Sequence, residues 1–281
     1  MKRYPQAIIF TAVLFISILL MNATPRNARD GVLHQSVTDA SIMVTAQETL
    51  PEAPLLINGN TDEPILLLKT NSALAKKTGS APIFYELNPE AHWPLASLTK
   101  LMTAVVALEN LPDTKERNTF IRRMMVISDN SAAEALVDLQ GFEKYIMLMN
   151  EKAAALKMTQ TGFSDATGLS YLNQSTVHDL DALVNYIREK HPKIFEWSRE
   201  KTITINGKIY HNSNQFAGRP DFWGGKTGFT DEANGNLISI FKTREGLVTI
   251  IILGATDKEE RFTQTERLLT WLLHHFKHYE Y

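Results

Sequence analysis

Three apolar segments of strand length follow one another near the C-terminal end of the chain, at residues 223–230, 236–243 and 246–254. The connections between them are only a few residues long, and a Glu245-Gly246 turn joins the last two. Strands joined this tightly pair in an antiparallel manner, because a parallel pair needs a crossover of a dozen or more residues. The segments therefore predict the centre of an antiparallel sheet.

Two shorter apolar runs, at residues 65–69 and 82–86, predict a strand pair earlier in the chain. Between these runs and the C-terminal strands, apolar residues recur at helical spacing. The predicted helices cover residues 97–108, 118–127, 132–139, 142–156 and 176–190, and a last one covers residues 258–277. This order is typical of an α+β fold, in which helices flank an antiparallel five-stranded sheet and a group of helices is inserted between its strands.

The N-terminal residues predict export from the cytoplasm. Lys2 and Arg3 precede an apolar run at residues 7–21, the pattern of a signal peptide. We predict that residues 1–24 are either a cleaved signal peptide or a retained membrane anchor, and that the polar residues 25–63 are a flexible linker. Residues 64–281 are the predicted globular domain, located in the periplasm or at the cell surface.

The composition excludes several classes of chemistry. The chain has no cysteine, which excludes disulfides, thiol catalysis and cysteine-ligated zinc. A net charge of −2 provides no strong field for binding nucleic acid. His274, His275 and His278 cluster near the C-terminus, but such histidines on a surface helix are usually not ligands, so we predict no metal site.

Three short motifs occur in order along the chain. Ser97 and Lys100 form S-x-x-K, residues 128–130 are S-D-N, and residues 226–228 are K-T-G. Further copies of two of these motifs occur at residues 77–79, 198–201 and 239–242. We select the first set because Ser97 opens a predicted helix and Lys226 lies in a predicted strand. Motifs in this order are typical of penicillin-binding proteins and class A β-lactamases.

The candidate catalytic residues are Ser97, Lys100, Ser128, Asn130 and Lys226. A serine hydroxyl is a poor nucleophile until a base removes its proton. Residues three apart share a helix face, so Lys100 is expected beside Ser97. A buried lysine near a second cation, such as Lys226, loses affinity for its proton and can act as that base. Ser128 can relay a proton to the leaving amine, and Asn130 can hold a substrate amide. This chemistry predicts no cofactor.

The candidate substrate-binding residues are Thr227, Gly228, Phe229, Thr230 and Arg261. Lys226, Thr227 and Thr230 can bind a carboxylate. The backbone N–H groups of Ser97 and Phe229 are the expected donors to a developing oxyanion, because the first opens a helix and the second follows K-T-G on a strand.

The wider sequence resembles the serine-type D-Ala-D-Ala carboxypeptidases, which are the low-molecular-mass penicillin-binding proteins. The resemblance rests on residues 94–104, 149–158, 163–169, 175–180, 212–214, 224–233 and 260–262. It implies a β-lactamase-like fold with a helical subdomain at roughly residues 101–200 and a cleft between subdomain and sheet. It also implies cleavage of peptidoglycan stem peptides through an acyl-enzyme on Ser97, covalent inhibition by β-lactams, and a role for Arg261 in tuning the carboxylate pocket.

Two departures from the family pattern affect these expectations. Ser128 follows Ser97 after only 31 positions, so the hairpin lobe usual in this region is expected to be missing and one cleft wall to be open. The chain also ends after the predicted catalytic domain, so any anchoring is expected to fall to the N-terminal segment.

Four functions remain open, in two classes. The leading hypothesis is a carboxypeptidase that removes terminal D-alanine, and the alternative within the same class is a DD-endopeptidase that cuts crosslinks. A β-lactamase is disfavoured, because no acidic residue in a recognisable loop is placed to activate a deacylating water. The alternative of another class is a non-catalytic domain that binds the cell wall or senses penicillin.

Overall fold

The computed structural model describes residues 66–79 and 82–278, with side chains up to residue 275. The predicted export segment at residues 1–24 and the predicted linker at residues 25–63 lie outside the described residues. Among the helices of the described ranges, none is long and apolar enough to cross a bilayer.

The strands build one large sheet and two small ones. They are β1 (Ser72–Lys77), β2 (Ile83–Leu87), β3 (Trp93–Pro94), β4 (Gln174–Ser175), β5 (Thr202–Ile205), β6 (Lys208–His211), β7 (Phe222–Thr230), β8 (Asn234–Thr243) and β9 (Gly246–Ala255). Five of them form an antiparallel sheet in the order β2-β1-β9-β8-β7, which leaves β7 at one edge. This confirms the predicted fold class and its five-stranded antiparallel sheet.

Most helices lie between the first and the last strands in the chain. They are α1 (Lys100–Asn110), α2 (Lys115–Ile127), α3 (Asn130–Asp138), α4 (Phe142–Ala155), α5 (Val177–Lys190), α6 (Lys193–Ser198) and α7 (Glu260–His278). A short 3-10 turn, Ala96–Thr99, precedes α1. The predicted start of α5 is confirmed, because the Thr176 hydroxyl accepts a hydrogen bond from the backbone N–H of Asp179 at 3.2 Å.

The central strands are buried on both faces. In β9, Ile251 and Leu253 belong to an apolar cluster shared with α1 to α6, whereas Ile250 and Ile252 belong to a second cluster shared with α7. Successive side chains of a strand point to opposite faces, so these two clusters are the two faces of the sheet. A strand covered on both faces needs apolar residues at every position, which explains the uninterrupted apolar runs of the sequence.

The first strand of the sheet is not where the sequence predicts it. β1 covers Ser72–Lys77, which lies between the two predicted strands at residues 65–69 and 82–86, whereas residues 66–68 carry no regular structure. Ala73 and Ala75 are small residues of low strand propensity, yet both are fully buried between β2 and β9. Pairing on both sides overrides local propensity here.

The β5–β6 hairpin and the short helix α6 are absent from the sequence-based prediction. Asn206 and Gly207 form the hairpin turn, and both have positive φ angles, of 50° and 77°. An Asn-Gly pair between alternating apolar residues is a strong hairpin signal, so this element was predictable. Helix α6 has only six residues, too few for a periodic pattern to stand out.

Candidate active site

The three motifs lie on separate elements that the fold brings together. Ser97 lies in the 3-10 turn, and Lys100 is the first residue of α1. Ser128 follows the last residue of α2, and Asn130 begins α3. Lys226 lies in the middle of the edge strand β7, which packs against the 3-10 turn. The Lys226 ammonium donates a hydrogen bond to the Ser128 hydroxyl at 2.8 Å, which joins the second and third motifs.

Lys100 is placed to exchange a proton with Ser97. Its Nζ lies 2.9 Å from Ser97 Oγ and 2.5 Å from the backbone oxygen of Thr167, and the residue is fully buried. Burial lowers the pKa of Lys100 to about 8, while the negative charge of Asp165 raises it. About one molecule in ten therefore has a neutral Lys100 at pH 7, and this neutral amine can accept a proton.

The backbone around Ser97 is close-packed on two sides. Ala96 has a positive φ of 47°, and Gly168 lies against its carbonyl group. A Cβ atom on Gly168 would come within 1.8 Å of the Ala96 oxygen, and one on Gly228 would come within 2.8 Å of the Leu95 oxygen. Only glycine permits these approaches, so the loop at Gly168 and the strand at Gly228 fix the position of the nucleophile turn.

Ser128 is held in an uncommon backbone conformation. It ends α2 in the left-handed region, with a φ of 57° and a ψ of 35°. The next residue, Asp129, caps α3 by accepting from the backbone N–H of Ser131 at 3.0 Å, and its other oxygen accepts from Arg123 at 2.6 Å. These contacts fix the turn that directs the Ser128 hydroxyl toward Lys226.

Lys226 is buried among cations. Burial lowers its pKa well below the usual range, and the positive charges of Lys100 and Arg261 lower it further. The sequence predicts that a second cation lowers the pKa of Lys100. In the structure, burial is the largest cause of the low pKa of each lysine, and their mutual repulsion disfavours the state in which both carry a proton.

The candidate substrate-binding residues follow Lys226 along β7. The Thr227 hydroxyl is 3.0 Å from the Ser213 hydroxyl, and the Thr230 hydroxyl accepts from the backbone N–H of Ala233 at 3.1 Å. The side chain of Phe229 is 42% exposed. This strand therefore presents a row of small polar groups and one exposed aromatic ring beside the nucleophile turn.

Arg261 is the second residue of α7 and contacts β7 at Gly228. Its Nη1 donates to the backbone oxygen of Gly228 at 2.7 Å, and burial lowers its pKa to about 10. Its Nε is one of several buried side-chain atoms of the described residues that have no hydrogen-bond partner. The structure thus places a buried positive charge in contact with the K-T-G backbone.

Comparison with known proteins identifies the family. A profile of peptidase S11, described as D-alanyl-D-alanine carboxypeptidase, matches residues 111–257, which is more than half of the chain. The D-alanyl-D-alanine endopeptidase of Pseudomonas aeruginosa is 32% identical over 242 residues, covering 73% of this chain and 77% of that protein. The chain belongs to the D-alanyl-D-alanine carboxypeptidase family. It is a serine-type DD-peptidase, and therefore a hydrolase.

Two further relatives of this DD-peptidase are informative. The D-alanyl-D-alanine carboxypeptidase DacC of Escherichia coli is 31% identical over 153 residues, covering 53% of this chain and 38% of that protein. The crystal structure of penicillin-binding protein D2 from Listeria monocytogenes, in a cefotaxime-bound form, superposes with a TM-score of 0.67 at 31% identity. That superposition covers 74% of this chain and 98% of the Listeria chain.

The family profile begins at residue 111, after Ser97 and Lys100, so the placement of these two residues rests on the geometry above. Sequence reasoning assigned no role to three residues of the DD-peptidase that surround this pair: Asp165, Thr167 and Asn173. Asp165 and Thr167 lie in a segment, residues 163–169, whose family resemblance was recognised. The signal was therefore present, but the contact with Lys100 is made by a backbone oxygen, which no residue type reveals.

Proposed function

We propose that this DD-peptidase hydrolyses peptide bonds that follow D-alanine in peptidoglycan stem peptides, through an acyl-enzyme on Ser97. One observation carries the proposal: a fully buried Lys100, whose pKa is lowered to about 8, lies 2.9 Å from the Ser97 hydroxyl. Neutral Lys100 accepts the Ser97 proton while Ser97 Oγ attacks the substrate carbonyl carbon.

The later steps use the other two motifs. The backbone N–H groups of Ser97 and Phe229 stabilise the oxyanion of the tetrahedral intermediate. Ser128, which accepts a hydrogen bond from Lys226, passes its proton to the leaving amine as the peptide bond breaks, and the proton that Lys100 took from Ser97 is relayed to the Ser128 oxygen, so that Lys100 is neutral again. Water then hydrolyses the ester on Ser97, with Lys100 again acting as the base.

The substrate is held by its charge and its amide groups. Thr227, Thr230 and Lys226 bind a carboxylate on the leaving-group side, and Arg261 adds positive charge from behind the strand. Asn130 holds a substrate amide. A β-lactam presents a carboxylate and a strained amide in a similar arrangement, so we propose that β-lactams acylate Ser97. This fits the cefotaxime-bound structure of the Listeria relative.

Cleavage of crosslinks, the endopeptidase reaction, is the activity we place first. The endopeptidase of Pseudomonas aeruginosa matches this chain over 77% of its own length, compared with 38% for the carboxypeptidase DacC. Between Lys100 and Ser128 the chain forms only α1, α2 and a short turn. We infer that this short connection leaves that wall of the cleft open, with room for the second stem peptide that a crosslink carries on its leaving amine.

Removal of terminal D-alanine is the second candidate. The family profile, which is named for this reaction, supports it, and so does the row of polar groups on β7 that can bind a free carboxylate. Both reactions use the same acyl-enzyme and differ only in the amine that leaves.

One experiment tests the proposal and separates the two reactions. The full-length protein is incubated with benzylpenicillin, with a D-Ala-D-Ala pentapeptide and with a crosslinked muropeptide dimer, and the products are measured by mass spectrometry. We expect a covalent penicillin adduct and conversion of the dimer to monomers, both lost in Ser97→Ala. A folded protein that forms no adduct and cleaves neither peptide would refute the proposal. Release of D-alanine with an intact dimer would favour the second candidate.

The substrate implies that the enzyme acts outside the cytoplasm. We propose that residues 1–24 direct export, and that they are afterwards either removed or retained as a membrane anchor. The intact mass of the protein recovered from cell envelopes distinguishes these two states, since cleavage would remove about 24 residues.

A further inference from the structure

The segment between α4 and α5 contains a loop, residues 164–173, that is organised by one carboxylate. Asp165 Oδ1 accepts hydrogen bonds from the backbone N–H groups of Thr167 and Gly168, both at 2.6 Å, and from the Thr167 hydroxyl at 2.9 Å. Asp165 Oδ2 accepts from the backbone N–H of Ser170 at 2.6 Å. Both oxygens are therefore engaged in holding the loop, and the loop wraps around the side chain of Asp165.

A second side chain fastens this loop to the nucleophile turn. Asn173 is fully buried, and its Nδ2 donates to the backbone oxygen of Asp165 at 2.9 Å and to the Thr99 hydroxyl at 3.1 Å. The backbone oxygen of Asn173 accepts from the N–H of Leu95 at 2.8 Å. Thr99 and Leu95 lie on either side of Ser97, so the loop and the nucleophile turn form one hydrogen-bonded unit.

These hydrogen bonds determine the position of one backbone oxygen. The Thr167 oxygen lies 2.5 Å from Lys100 Nζ, and Lys100 Nζ lies 2.9 Å from Ser97 Oγ. A neutral lysine amine has two N–H donors and one lone pair. When one N–H donates to the Thr167 oxygen, the lone pair is free to accept the proton of the Ser97 hydroxyl.

We propose that Asp165 is a positioning residue for Lys100, and that it acts through the Thr167 carbonyl oxygen, which orients the amine toward Ser97. The inference rests on the proposed roles of Ser97 and Lys100 and adds a residue that acts on the base without touching the substrate. The loop that carries the Thr167 oxygen has no other charged side chain, since residues 164–173 contain Asp165 as their only ionisable group apart from Tyr171.

The charge of Asp165 affects the pKa of Lys100 independently of the hydrogen bonds that hold the loop. Of the carboxylates that raise the pKa of Lys100, Asp165 has the largest effect, followed by Asp129 and Glu134. Removing the charge therefore lowers the pKa of Lys100, whereas removing the hydrogen bonds displaces the Thr167 oxygen. Asp165→Asn removes the charge but keeps one acceptor oxygen. Asp165→Ala removes the charge and both acceptor oxygens.

The test measures how the rate of acylation by benzylpenicillin depends on pH. The full-length protein is used, and the adduct is followed over time by intact-mass spectrometry. In Asp165→Asn, the acidic limb of the profile should move to lower pH, because Lys100 loses its proton more easily. In Asp165→Ala, the rate at the plateau should also fall by about 100-fold, the size of effect that a displacement of about 1 Å produces.

Asp179→Asn is the matched control. Asp179 Oδ2 also accepts two hydrogen bonds in this region, from the Gln160 N–H at 2.8 Å and the Thr161 hydroxyl at 2.7 Å. It is not among the carboxylates that raise the pKa of Lys100, and these hydrogen bonds do not involve the 164–173 loop. We expect this variant to melt at a lower temperature with an unchanged acidic limb.

The outcomes separate this inference from the function on which it rests. Wild-type protein that is never acylated would overturn the proposed function and this inference with it. Wild-type protein that is acylated, together with a folded Asp165→Ala variant whose plateau rate matches that of the wild type, would overturn the inference alone. If Asp165→Ala does not fold, the plateau rate of Asp165→Asn decides the matter: the amide offers one acceptor oxygen where the carboxylate offers two, so this rate should fall, and a rate equal to that of the wild type would overturn the inference.

Discussion

Lys100 is a base because the fold removes it from water. An isolated lysine has a pKa near 10.5, so at pH 7 far less than one molecule in a hundred is neutral. Desolvation brings the pKa to about 8, which raises the neutral fraction at pH 7 to about one molecule in ten. The carboxylate of Asp165 limits this decrease and keeps the proton available for return to the substrate.

We expect the acylation rate to follow the neutral form of Lys100. The rate should rise about tenfold per pH unit below about pH 8 and level off above it, because the neutral amine is the active form and raising the pH increases its amount. Stopped-flow acylation with a chromogenic β-lactam measures this profile. The control is Lys152→Ala, which removes a lysine of α4 that pairs with Glu109. It should leave the rise of the rate below about pH 8 unchanged. A rate independent of pH across this range would show that Lys100 is not the base.

At the scale of elements, the active site depends on close contact between a turn, a loop and a strand. The nucleophile turn, Ala96–Thr99, lies between the loop at Gly168 and the strand β7 at Gly228. No side chain separates these backbones, so a change at either glycine moves the turn that carries Ser97.

Gly168→Ala should therefore damage both stability and acylation. The added Cβ would meet the Ala96 oxygen at 1.8 Å and would also be strained at a φ of 84°, so we expect a loss of about 2–4 kcal/mol in the free energy of unfolding. Displacement of the turn should slow acylation by 10-fold or more. Urea denaturation and penicillin adduct formation measure the two effects.

Gly207→Ala is the control for backbone strain alone. Gly207 has a similar φ of 77° in the β5–β6 turn, but a Cβ there would meet nothing within 4 Å. It should cost about 1 kcal/mol and leave acylation unchanged. Equal effects of the two substitutions would contradict the close-contact explanation.

At the scale of the whole domain, the sheet separates two apolar layers and supports the active site from its edge. The helical layer packs on one face and α7 on the other. The catalytic strand β7 pairs with β8 only, which leaves it at the edge of the sheet, and it packs against the nucleophile turn.

A cavity in the middle of the sheet should destabilise the domain without altering the chemistry. Ile251 is fully buried in β9, and Ile251→Ala should lower the free energy of unfolding by about 2–5 kcal/mol. Ile209→Ala, at a side chain that is 62% exposed, should change it by less than about 0.5 kcal/mol. Chemical denaturation measures both, and a similar loss in the two variants would contradict the assignment of the core.

The sequence was sufficient for much of the architecture. The long buried strands and the amphipathic helices were predictable, because uninterrupted apolar runs and helical periodicity are local signals. β1 was not predictable, because Ala73 and Ala75 become strand residues only through their pairing with two neighbours. The Asn206-Gly207 hairpin carried a local signal that the sequence analysis did not use.

By itself the sequence determined the fold class, the family resemblance and three motifs of residues with the right chemistry, because each of these depends on residue types and their spacing. Only the tertiary structure decided what surrounds Lys100. The desolvation of its amine, the Thr167 oxygen beside it and the Asp165 carboxylate that holds that oxygen in place arise from segments more than 60 residues apart in the chain. Burial and the direction of a backbone carbonyl are properties of packing, and no residue type encodes them.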